Sequence, residues 1–221
     1  MTTLPLTRRS EPHSLGYNLG LLGLAAALFG LGLAYWIDAA GRSTLPVTSG
    51  ADRPVARSLG GRELQIPSAW FRDGPTQSTG ISKQIDLRLM LPLGAEGAPV
   101  PILVTLVPRR QARPSSSLLD GVYLHQFRPE QVSGPPGLVG KPLVAVDGYE
   151  GETVWYDPLS ANPFVAKCLA PVADDIGSRC LRTVYLGTGI AAIYDFDASV
   201  LANWRGFDAA LSAELGRIGA L

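Results

Sequence analysis

The sequence predicts an α+β protein: an N-terminal transmembrane helix, followed by an antiparallel-sheet domain with a short helix and a C-terminal helix packed on it. Three observations predict it. Residues 17–37 carry no charge, and 16 of the 21 are apolar. Between residues 62 and 196, short alternating or apolar runs recur, separated by turn-rich stretches. Helical apolar spacing is confined to 116–127 and to the C-terminus. Strands joined by tight turns are antiparallel, and amphipathic helices need a sheet to cover.

Composition limits the class. The 221 residues are 46 % apolar and 17 % charged, with formal net charge zero. A disordered chain has less apolar content and more net charge. The 25 Gly and 18 Pro show no collagen-like period. With Lys+Arg and Asp+Glu both at 19, no basic excess favours nucleic acid as a partner. Two Cys are too few for a disulfide-scaffold miniprotein.

Residues 1–16 are expected as a cytoplasmic tail. A helix over 17–37 rises about 31 Å, which matches a bilayer core of about 30 Å. Tyr17, Tyr35 and Trp36 stand at its ends, where amphipathic rings prefer the interface. The run exceeds the usual apolar length of a cleaved signal, and Ala34-Tyr35-Trp36 makes a poor cleavage site. An uncleaved anchor is the expectation. Arg8 and Arg9 before the span place the N-terminus inside. Gly16, Gly20, Gly23, Ala27, Gly30 and Ala34 fall on one seam at heptad spacing, where close backbone approach favours association in lipid. The expected partners are the lipid bilayer and, through that seam, a second copy or another membrane protein. Residues 38–61 lack apolar periodicity and read as a flexible linker.

The domain is expected over 62–221. A short strand at 62–66 stops at Pro67, and 68–72 is a turn carrying Trp70 and Phe71. Residues 83–91 alternate, with Ile85, Leu87, Leu89 and Leu91 on one face. Residues 102–107 suit a central strand. Ser116 or Ser117 can cap a helix through Phe127. Segments 143–146 and 152–156 suggest a hairpin around Asp147-Gly148. Segments 164–169 and 180–186 suggest a second, with 190–196 as a third strand beside it. Asp197 is placed to cap a C-terminal helix up to Ile218, with Leu201, Trp204, Phe207 or Asp208, Leu211 and Leu215 on its apolar side.

A hairpin centred near Asp174 sets Cys168 opposite Cys180, at a Cα separation of about 4.5 Å, within reach of a disulfide. Such a bond persists in a periplasm and not in a reduced cytosol. Usage of 16 Arg against 3 Lys suggests a high-GC bacterial genome. The expected location is the bacterial inner membrane, single-pass, with the domain periplasmic.

Catalytic signals are weak, and no catalytic residue, metal ligand or cofactor is assigned. His125 stands alone, Ser115-Ser116-Ser117 lacks a nucleophile-elbow context, and Asp174-Asp175 reads as a solvated tip. Asp195 and Asp197 share a strand face, but Asp197 has a capping role. Arg109, Arg110 and Arg113 after the central strand could meet an anion, and Trp70 with Arg72 could form a partner contact.

The chain also carries Leu64-x-Ile66-Pro67-x-x-Trp70-x-Arg72, Leu87-x-Leu89-x-Leu91-Pro92, Leu103-x-x-Leu106-x-Pro108-Arg109 and Pro163-Phe164-Val165-Ala166-Lys167-Cys168, with a later Cys180. In this order, after an anchor, they resemble a group of single-span proteins of alphaproteobacteria with a periplasmic domain. The resemblance implies architecture and compartment and carries over no site residue. The expected function is a membrane-tethered, non-catalytic binding or scaffolding module of the cell envelope. The alternatives are an accessory subunit of an inner-membrane complex and an envelope enzyme or ligand-binding domain.

Overall fold

The structure, a computed structural model, describes residues 54–74, 81–145, 151–170, 177–187 and 189–221, together with Leu24, Leu28 and Gly30. The chain divides into two compact units, Met1–Ser49 and Gly50–Leu221. The three isolated residues belong to the first and are helical.

Strands β1 (Pro54–Leu59) and β2 (Arg62–Pro67) form a two-stranded antiparallel ribbon. Gly60 and Gly61 join them with φ of 60° and 82°. A two-residue turn between right-twisted strands needs this left-handed region, which glycine enters without a Cβ clash. Leu59, Leu64 and Ile66 point inward and are fully buried.

The main sheet has seven strands: β3 (Ile85–Leu91), β4 (Val100–Pro108), β5 (Val139–Pro142), β6 (Thr153–Tyr156), β7 (Val165–Leu169), β8 (Arg179–Leu186) and β9 (Ile190–Asp197). Their order is β3-β4-β9-β8-β7-β6-β5, and every neighbouring pair is antiparallel. Between β4 and β5 lies helix α1 (Ser115–Gly121), and after β9 comes helix α2 (Trp204–Arg217).

Side chains alternate across the sheet, so one row of partners shares a face. Leu87, Val104, Tyr194 and Arg182 make such a row. Against that face α2 lays Phe207, Leu211 and Leu215, spaced four apart and fully buried. The Phe207 ring lies 4.7 Å from Phe196, 5.7 Å from Tyr194 and 5.8 Å from Phe164. The ribbon is tied to the same layer, since Gln65 N–H donates to Ile218 O at 3.0 Å. On the opposite face, Leu119 of α1 meets Val154 and Val165, and Phe127 stacks on Tyr156.

The expected fold class is corrected. Among the described residues the second unit is an antiparallel-sheet domain with two α-helices, and no helix among them is long and apolar enough to cross a membrane. A span needs about 20 consecutive apolar residues in one helix. The tail 1–16, the segment 17–37 and the seam residues Gly16, Gly20, Gly23, Ala27 and Ala34 lie outside the described residues; of the seam only Gly30 is described.

Local boundaries also differ. β1 occupies the end of the stretch 38–61 expected as linker. β5 starts four residues before the expected 143–146 strand, and its continuation is seen in Leu143 N–H donating to Glu152 O. Gly140 permits this: a Cβ there would lie 2.6 Å from the Trp155 ring on β6. The helix expected over 116–127 ends at Gly121, because Val122 leaves helical geometry (φ −136°, ψ −60°), and a single 3-10 turn follows at Tyr123–His125. No side chain caps α1; Ser115 Oγ instead accepts the Thr183 N–H at 2.8 Å.

Asp197 does cap, but its helix is 3-10 (Ala198–Asn203), and α2 begins only at Trp204. Its Oδ1 accepts Ser199 N–H at 2.9 Å and Ser199 Oγ–H at 2.6 Å. These bonds hold the Asp197 carboxyl below its ordinary 3.8, helped by the Arg179 charge and opposed by partial burial. A lowered folded-state pKa gives stability that is present above the unfolded value and lost as pH falls through the folded one. Asp197→Ala is therefore expected to cost about 1 kcal/mol near neutral pH. In urea melts across pH, the gap to the wild type should close below pH 3.8. A gap that stays constant in acid argues against the ionised cap.

Candidate functional site

Chain pairing brings distant residues to one end of the sheet. β3 runs against β4 with Ile85 opposite Leu106, so Lys83, two residues before Ile85, lies near the Pro108–Arg109–Arg110 end of β4. The β1–β2 turn meets the β8–β9 turn there. A Cβ on Gly60 would lie 2.4 Å from Gly189 O, so the two turns touch backbone to backbone. Gly189 O also accepts Arg109 N–H at 2.9 Å, which fixes where the arginine leaves the strand. The result is an open groove of about 560 Å3, with Lys83, Arg109 and Arg110 among its walls. Ile81, held beside β1 by Ser82 N–H donating to Ser58 O, stands at its rim and is 88 % exposed.

Arg109 lies over the Tyr185 ring at 4.0 Å, a contact that both attracts the guanidinium and orders it. Among the described residues, ion pairs involve Lys167, Arg179, Arg182 and Arg217, and none involves the three groove cations. The groove therefore presents net positive charge over a backbone floor.

A second polar feature is structural. β7 pairs with β8 only from Lys167↔Leu181 to Leu169↔Arg179. Beyond that the strands part, and Arg182 bridges the gap. Its Nη1 donates to Val165 O at 3.1 Å, and its Nε and Nη2 clamp Asp208 of α2 at 3.0 and 2.6 Å. The guanidinium also lies over the Phe164 ring at 4.5 Å. Burial pushes the neighbouring Tyr194 hydroxyl well above its ordinary range; Asp208 adds to the shift and Arg182 opposes it. A buried cation survives because every charge-bearing face has a partner.

The other sequence-derived positions separate. Trp70 is half-buried against the main core and, with Arg88, Met90 and Arg217, lines a cleft of about 400 Å3 beside β3. Arg72 is exposed, and its N–H donates to Asp86 O. Arg113 is exposed on the segment entering α1. Thus Arg109 and Arg110 share a site, whereas Trp70, Arg72 and Arg113 do not line it. Asp195 pairs with Arg179 at 2.7 Å, and His125 is exposed. Asp174-Asp175 lies outside the described residues. Sequence reasoning missed Lys83, Ile81 and the Gly60–Gly61 turn. The Gly-Gly pair between two strand-like runs was the available signal.

Cys168 and Cys180 face each other on β7 and β8 and form a disulfide, with Cα atoms 3.9 Å apart. The alternation of the two strands turns both sulfurs into the main core.

No protein-family model and no curated protein matches the chain. Among solved structures it is similar to an immunity protein of the Stenotrophomonas maltophilia type IV secretion system, with a TM-score of 0.53. The two share a fold. The likeness covers 76 % of this chain and 93 % of that one, at 12 % identity, so it speaks to architecture and to no residue.

Proposed function

We propose that the domain is a non-catalytic protein-binding module of the bacterial periplasm, protective in the manner of the immunity protein whose fold it shares. The observation that carries this reading is the likeness over nearly the whole of that protein. The Cys168–Cys180 bond supports the compartment, since disulfides persist in oxidising spaces and are rare in a reduced cytosol. The open basic groove supports binding, because it offers a charged, ordered surface to a partner.

The test is a contact competition. A strain lacking this gene is grown against its parent, with and without a plasmid-borne full-length copy. The protective reading expects the deletion strain to be depleted on contact and the copy to restore it. Equal recovery with and without the gene overturns it.

A further inference from the structure

We infer that the groove between the β1–β2 and β8–β9 turns is the docking site for an acidic, extended segment of the protein partner; this rests on the binding reading above. Three observations converge. Lys83, Arg109 and Arg110 put three positive charges on the walls, and no acidic side chain lines the groove among the described residues. Unpaired cations of one sign attract a complementary charge and steer its approach. Arg109 is already ordered by Tyr185 and by its backbone bond to Gly189 O, so less freedom is lost when it takes a carboxylate.

The shape selects a chain over a bare anion. At about 560 Å3 the groove is open and has room for more than a single bare anion. Its floor is the meeting of two glycine turns, so no side chain stands up from Gly60 or Gly189 to block a backbone lying along it. The exposed Ile81 at the rim supplies an apolar contact, which a phosphate group cannot use and a peptide side chain can. Acidic residues flanking an apolar one are the matching pattern.

The experiment places the photo-crosslinking residue p-benzoylphenylalanine at Ile81 in the full-length protein, expressed in the native host. A parallel variant carries it at Leu159, which is 91 % exposed on the β6–β7 connection. The expected result is a protein adduct from position 81, mapped to a segment with Asp or Glu beside the crosslinked residue. The adduct should be lost in Arg109→Glu/Arg110→Glu and kept in Arg128→Glu, an exposed arginine away from the groove. Thermal melts confirm that each variant folds. If the double variant does not, Lys83→Gln and a falling adduct yield with rising NaCl take its place. An adduct to lipid, an adduct to a neutral or basic segment, adducts from position 159 alone, none at all, or one indifferent to charge reversal overturns the groove assignment. Because the contact competition uses no groove variant, protection without a crosslink at 81 removes the groove and leaves the protective reading in place.

Discussion

Phe207→Ala is expected to lower the unfolding free energy by about 3–5 kcal/mol, the range for deleting a large aromatic from a packed core. Phe207 is fully buried, and its ring touches Phe164, Tyr194 and Phe196, which come from β9 and the entry to β7. One side chain of α2 thereby holds the helix onto both halves of the sheet. The hole left by alanine is bordered by a seven-stranded antiparallel sheet that cannot collapse into it, which puts the cost at the upper end. Chemical denaturation of the wild type and Phe207→Ala measures it. Phe207→Leu, which retains most of the volume, should recover a large part of the loss. A Phe207→Ala midpoint close to wild type would show that α2 is not the principal cover of this face.

Breaking the Cys168–Cys180 bond is expected to cost about 3 kcal/mol, the chain-entropy value for a short closed loop. The sequence separation is 12 residues. The bond also spans β7 and β8 where their ladder is shortest, only three residue pairs before the strands part. Loss of the bond should loosen the gap that Arg182 bridges. Cys168→Ser/Cys180→Ser should melt well below the wild type, and reductant should lower the wild type to about the same point while leaving the double variant unchanged. A wild type indifferent to reductant would mean that the bond does not form in solution. It would also remove the main physical support for an oxidising compartment.

Much of the sheet was legible because period-2 alternation is a local property. Ile85, Leu87, Leu89 and Leu91 announce β3 whatever surrounds them, and the opposition of Cys168 and Cys180 follows from hairpin symmetry alone. β5 was not legible. Val139-Gly140-Lys141-Pro142 has loop composition, and what makes it a strand is the Trp155 ring filling the space over Gly140 from β6. The choice between Phe207 and Asp208 on the inner side of α2 was likewise open from spacing. Packing decides it: Phe207 enters the aromatic cluster, and Asp208 turns toward Arg182. Half the groove was legible as Arg109 and Arg110 at a strand end. Lys83, Ile81 and the glycine turns join them only through strand pairing and turn contact.

The sequence by itself determined most of the antiparallel strands, the capping role of Asp197, and the cysteine pair, each set by neighbours within one hairpin or one turn. The span expected over 17–37 lies outside the described residues. The tertiary structure decided the strand order, the burial of Arg182 and the assembly of a basic groove from four separate parts of the chain. Those outcomes depend on contacts between residues tens of positions apart, as in the 26 that separate Arg182 from Asp208. Such contacts form only when the whole core closes, and no local pattern encodes which distant surface a side chain will meet.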